Sequence, residues 1–65
     1  MKTVLIEKTT IGSSESEVIM LHDLMNNTSK YIYTFESNYK KWVHDEVSAY
    51  RSNGYRIWNE TDIKL

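Results

Sequence analysis

SESEVIMLHDLMNN, residues 14–27, is the stretch on which the fold of this chain turns. Read as a helix, it places Ser14 and Glu17 at capping-box spacing and sets Val18, Leu21 and Met25 at i, i+3 and i+7. Read as a strand, EVIMLH is a compact apolar run between loop signals. The strand reading turns NNTS (residues 26–29) into a tight connection, and a hairpin onto KYIYTFE (residues 30–36) follows. A strand is expected, with a short helix as the alternative.

Upstream, TVLIEK (residues 3–8) reads as a strand because Val, Leu and Ile suit a pleated, half-buried surface. TTIGSSES (residues 9–16) breaks that pattern with Gly12 and a cluster of serines, which marks a loop. Downstream, Ser37 can cap a helix that runs to about Ser52. At 100° per residue, Tyr39, Trp42, Val43, Val47 and Tyr50 fall on one side, and Lys40, Lys41, His44, Ser48 and Arg51 on the other. Gly54 after Asn53 is a stop signal, and Arg51 in the last turn suits the helix dipole. YRIWNE (residues 55–60) reads as a last strand, and TDIKL (residues 61–65) as a tail. The expected fold is α+β in the order β-β-β-α-β. It is a single domain over residues 1–65, a small antiparallel sheet of three to four strands with one amphipathic helix on one face.

With 65 residues, eight basic and nine acidic side chains and a formal net charge of −1, no electrostatic argument favours nucleic acid or an anionic membrane. There is no Cys, so neither a disulfide nor a thiolate metal site is available. An aromatic content of 12% indicates a folded chain rather than a disordered one. No run approaches the length of apolar sequence that spans a membrane, and the apolar part of MKTVLIEK (residues 1–8) is too short for a signal-peptide core. A cytoplasmic protein is expected, and the N-x-S/T triplets at Asn26, Asn27 and Asn59 are then chance matches.

Tyr31, Tyr33 and Phe35 alternate along the third strand and would share a face. If they pack under the helix together with Tyr55 and Ile57, alternation sends Leu5, Ile19, Leu21, Ile32 and Trp58 to the outer face beside Arg56. A monomer rarely leaves so contiguous an apolar patch in water, and Trp and Arg are enriched at interface hot spots. These six residues are therefore the expected partner-binding set. If the faces are swapped, the tyrosine stripe becomes the exposed patch and the argument for a partner survives on different residues.

Chemistry is sparsely marked. Glu46 lies within the apolar stripe of the helix and is expected to reach a rim and pair with a Lys or Arg such as Arg56. His22-Asp23 and His44-Asp45 are HD dipeptides of the kind some phosphohydrolases place on a metal. Two His without Cys make a poor ligand set. No glycine-rich phosphate loop and no Ser, His and acid arrangement is present. The chain is not expected to be an enzyme or to hold a cofactor or metal. KYIYTF (residues 30–35) resembles the aromatic strand of RNA-recognition domains, where rings stack on bases, but lacks that motif's glycines, and the chain lacks the second helix.

Three functions stay open. The first is a small protein-interaction module, an inhibitor that occludes a site on another protein, as a homodimer. The second is capture of a nucleotide-like small ligand in an aromatic-lined pocket at a dimer interface, with Arg56 and lysines nearby. The third is single-stranded nucleic-acid binding on the aromatic strand, with nucleic acid the least expected partner. In size and composition over its whole length, the chain resembles small accessory proteins of bacteria and their phages, which are short, Cys-free single domains rich in Lys, Asn, Ser and Tyr. That resemblance implies an inhibitor of a host enzyme or defence system and transfers no residues.

Overall fold

A computed structural model describes residues 2–12 and 16–65. Ser14 of the possible capping box lies outside the described residues. The element order is β1 (Thr3–Thr10), β2 (Glu17–Asp23), β3 (Thr28–Tyr33), α1 (Tyr39–Ser52) and β4 (Arg56–Asn59). The fold is α+β, in the order β-β-β-α-β. Residues 17–23 are a strand, and the helical alternative for them is excluded.

The sheet has the order β3-β2-β1-β4. β1 pairs antiparallel with β2, and β2 antiparallel with β3, as a meander requires. The expectation of an antiparallel sheet fails at β4, which runs parallel to β1. The reason is the helix. β3 already runs parallel to β1, and α1 carries the chain back along the sheet before β4 begins. Its 14 residues rise about 21 Å at 1.5 Å each, the length of a strand. The chain therefore re-enters the sheet in the direction of β3, past β2 and beside β1.

The β2–β3 turn comes two residues earlier than the expected NNTS at 26–29. Leu24–Asn27 form the turn and Thr28 already belongs to β3. Asn27 takes the left-handed conformation (φ 54°) that Asn tolerates. α1 starts one residue later than Ser37 would place it. Asn38 occupies the cap position and makes no side-chain capping bond. The chain instead enters the helix through tight turns, Glu36 N–H to the Tyr33 carbonyl (3.2 Å) and Tyr39 N–H to the Glu36 carbonyl (3.1 Å). The other end follows its sequence signal. Gly54 (φ 82°) lets its own N–H reach the Arg51 carbonyl (3.0 Å) and the Tyr55 N–H reach the Tyr50 carbonyl (3.0 Å). Tyr50 and Tyr55, the residues flanking that motif, pack edge-to-face at 4.9 Å.

The core lies between the sheet and α1. Val4, Ile6, Ile19, Leu21, Val43 and Val47 are fully buried there, with Ile32, Tyr39, Tyr50, Tyr55 and Ile57 packed around them. Ile63 and Leu65 join this cluster, so the C-terminal tail is ordered. Asn59 holds it, accepting from the Thr61 N–H (2.9 Å) and donating to the Ile63 carbonyl (2.7 Å).

This core corrects the assignment of faces. Ile19, Leu21 and Ile32 point toward the helix, not outward. Register explains it. Ile6 stands opposite Leu21, and Ile19 opposite Ile32, so these aliphatic residues share the face that carries Val4. A single helix leaves a thin layer, and branched aliphatic side chains fill it without a hydroxyl to satisfy. Trp42, expected in the core, is 42% exposed.

Candidate binding surface

The same register places Tyr31 and Tyr33 on the face that α1 does not cover. Tyr31 stands beside Met20, which stands beside Glu7, and Tyr33 stands beside Val18. Tyr31 is 56% exposed, Tyr33 41% and Trp58 50%. Phe35 lies just past β3, is 69% exposed and stacks on Tyr33 with ring centroids 5.2 Å apart. Of the six residues expected to bind a partner, Leu5, Arg56 and Trp58 remain on the outer face, and Ile19, Leu21 and Ile32 leave it for the core. The apolar surface outside is therefore the tyrosine stripe on β3 and Trp58 on β4, with Leu5 and Met20 on the strands between them.

The face is organised. Trp58 donates its indole N–H to Glu60 at 2.6 Å, which holds the ring. A shallow groove of about 400 Å³ beside it is lined by Leu5, Met20, Glu7 and Glu60. His22 bridges the three central positions, with Nδ1 2.7 Å from the Ser29 hydroxyl and Nε2 3.5 Å from the Glu7 carboxylate. The face carries Glu7 and Glu60 against Arg56, and Lys8 also lines the groove, a polar mix rather than a basic strip. A phosphate backbone finds little to neutralise there.

On the helix side a second cavity, of about 510 Å³, opens between the β2–β3 turn and the end of α1. Asp23 is its most constrained group. Its carboxylate is buried and accepts from the Met25 N–H (3.1 Å), the Asn26 N–H (3.1 Å), the Asn26 amide (2.9 Å) and the Tyr55 hydroxyl (3.0 Å). Burial pushes its pKa up, but these hydrogen bonds, those of Asn26 foremost, outweigh it, and the carboxyl sits below its ordinary value. Burial raises the Tyr55 hydroxyl, and the bond that hydroxyl donates to Asp23 raises it further. Glu46 does reach a rim, and its partner is Lys30 (3.1 Å to both carboxylate oxygens), not Arg56. Lys30 shares the helix-side face of β3, whereas Arg56 lies on the far face of the sheet. The Glu46 hydrogen bond holds the Lys30 ammonium above its ordinary pKa, against the opposing effect of burial. With Asp23 and Glu46 beside Lys30 and Lys2, the cavity offers an anion as much repulsion as attraction.

The HD dipeptides do not converge. His22 lies on the outer face of the sheet and His44 is exposed on the helix. Among the described residues no group of three or more His, Cys, Asp or Glu is arranged to hold a metal. Likewise no helix among them is long and apolar enough to cross a membrane. The Asp23 network escaped the reading of the sequence. The Asp-x-x-Asn spacing at residues 23–26 is a local turn signal, but its third member, Tyr55, arrives only through the β4 crossover. No protein-family model matches the chain, and no curated protein and no solved structure matches it.

Proposed function

We propose that the chain is a cytoplasmic protein-binding module that works by steric occlusion, laying its open sheet face over a site on another protein. The observation that carries the reading is the outer face itself, where Tyr31, Tyr33, Phe35 and Trp58 are 41–69% exposed and no described helix or strand lies over them. Tyr, Trp and Arg dominate interface hot spots, and an indole already held by Glu60 loses little freedom on binding. Glu7, His22, Ser29 and Arg56 supply the polar groups that a specific contact needs around such anchors. Inhibition of a partner enzyme or defence protein is the use that fits a small module of this kind. The balanced charge of the helix-side cavity weighs against nucleotide capture, and the mixed charge of the face weighs against nucleic acid.

The test is affinity capture from extract of the source cell with the wild type, Trp58→Ala, Tyr33→Ser and the helix-side control Lys41→Ala. The expected result is a protein retained by the wild type and the control and lost with both face variants. Capture indifferent to both face substitutions overturns the reading. So does retention only of nucleic acid, in a complex that dissolves steeply with salt.

A further inference from the structure

We infer that the chain pairs with a second copy of itself, edge to edge through β3, to form a continuous sheet of twice the width. The inference starts from the phase of the ladder. The Thr34 N–H donates to the Glu17 carbonyl at 3.1 Å, and the register runs on through Ile19–Ile32 and Leu21–Lys30. In an antiparallel pair the residues that exchange bonds alternate. Thr28, Lys30 and Ile32 therefore spend their backbone groups on β2, and Ser29, Tyr31 and Tyr33 aim theirs out of the edge.

That edge is self-complementary. An antiparallel pairing with Tyr31 on the two-fold axis sets Tyr31 against its own copy and Ser29 against Tyr33 on both sides. Roughly six N–H···O=C bonds become available. The Tyr33 carbonyl already accepts from Glu36, and a carbonyl takes two such bonds.

The two edges of the sheet differ. β4 is four residues long and gives way at once to the Asn59–Ile63 turn. β3 has six residues, no Pro and a high content of strand-forming side chains. Edges are commonly guarded by a Lys, and Lys30 is the only charge in β3. Its ammonium is held by Glu46, which leaves the edge without that guard. A groove of about 430 Å³, lined by Ile32, Trp42 and Ala49 together with the carboxylates Asp45 and Glu46, runs between this edge and α1 and can take up side chains of the second copy.

Two copies joined through β3 also bring both Tyr31, Tyr33 and Phe35 sets to the centre of one continuous surface. That consequence rests on the proposed binding face, and the hydrogen-bond argument stands without it.

The test is the mass in solution by light scattering, from low to high micromolar concentration, for the wild type, Tyr31→Pro and Trp58→Ala. Pro at position 31 removes an outward N–H and no bond to β2, so the sheet can keep its fold. The expected result is twice 7.7 kDa for the wild type and for Trp58→Ala, and 7.7 kDa for Tyr31→Pro with unchanged circular dichroism. A wild type that stays at 7.7 kDa throughout, or a Tyr31→Pro variant that still doubles, overturns the inference. If Tyr31→Pro fails to fold, amide exchange of the wild type decides. Protection of the Ser29, Tyr31 and Tyr33 amides that rises with concentration supports the pairing, and rates independent of concentration overturn it. A monomer that still captures a protein in a Trp58-dependent way removes the pairing and leaves the proposed function intact.

Discussion

Asp23 ties the β2–β3 turn to the start of β4. Two turn amides, the Asn26 side chain and the Tyr55 hydroxyl all donate to one buried carboxylate. Because the folded state holds its pKa below the unfolded value, about 3.9 for Asp, the group adds stability above that value. It loses this contribution as pH falls through the lower folded one. Asp23→Asn is therefore expected to lower Tm at neutral pH and to flatten the acid limb of a Tm-against-pH curve. A variant whose acid limb matches wild type removes Asp23 from the account. Lys30 and Glu46 form a closer ion pair, but the lysine side chain is more than half exposed, and such pairs contribute about 0–1 kcal/mol. Lys30→Met should change the unfolding free energy, read from a denaturant titration, by no more than that. Glu46 was legible in the sequence as a carboxylate that needed a partner. Its partner was not, because Lys30 and Arg56 sit on strands whose facing depends on register rather than on any local pattern.

At the scale of elements, the helix was the most legible part. Its apolar period, Gly54 and Arg51 all agree with the observed Tyr39–Ser52 span, and the Tyr50–Tyr55 contact completes the motif that ends it. The strands were legible as strands but not as faces. β2 offers Val18 and Met20 on one side and Ile19 and Leu21 on the other, so alternation alone presents two apolar faces. The short turn at Leu24–Asn27 breaks the tie by placing Ile19 opposite Ile32. The parallel direction of β4 follows from the length of the helix, a global constraint. Substitutions read these differences out in chemical denaturation. Ile6→Ala, fully buried under the helix, should cost about 2–5 kcal/mol. Trp42→Ala should cost clearly less than the about 3–5 kcal/mol of a buried ring, because the indole is 42% exposed. Asn38→Ala should be near neutral, since no capping bond is lost, where a bonded cap would cost about 0.5–2 kcal/mol.

The whole molecule is a sheet with one covered face and one open one. Among the described residues the fully buried side chains are Val, Ile or Leu, and the largest rings stand at or near the surface. On the outer face Val18, beside Tyr33, is buried as well, so the rings there shield part of the sheet; the functional reading rests on the aromatic area that Tyr31, Phe35 and Trp58 still expose. Half of the candidate surface was legible. Leu5, Arg56 and Trp58 lie on the face expected of them, whereas Tyr31 and Tyr33 face outward and Ile32 inward because of the β2–β3 register, which no single side chain announces. The most direct test is the unfolding free energy, by urea titration at low micromolar concentration, of the combined Tyr31→Ser and Trp58→Ser variant. Cross-strand pairs at exposed positions contribute about 0.2–1 kcal/mol each, so a loss of no more than about 2 kcal/mol is expected, with the fold retained. A loss above about 4 kcal/mol, or a variant that does not fold, would mean that the rings hold the molecule together and are not free to bind a partner, and would contradict the account.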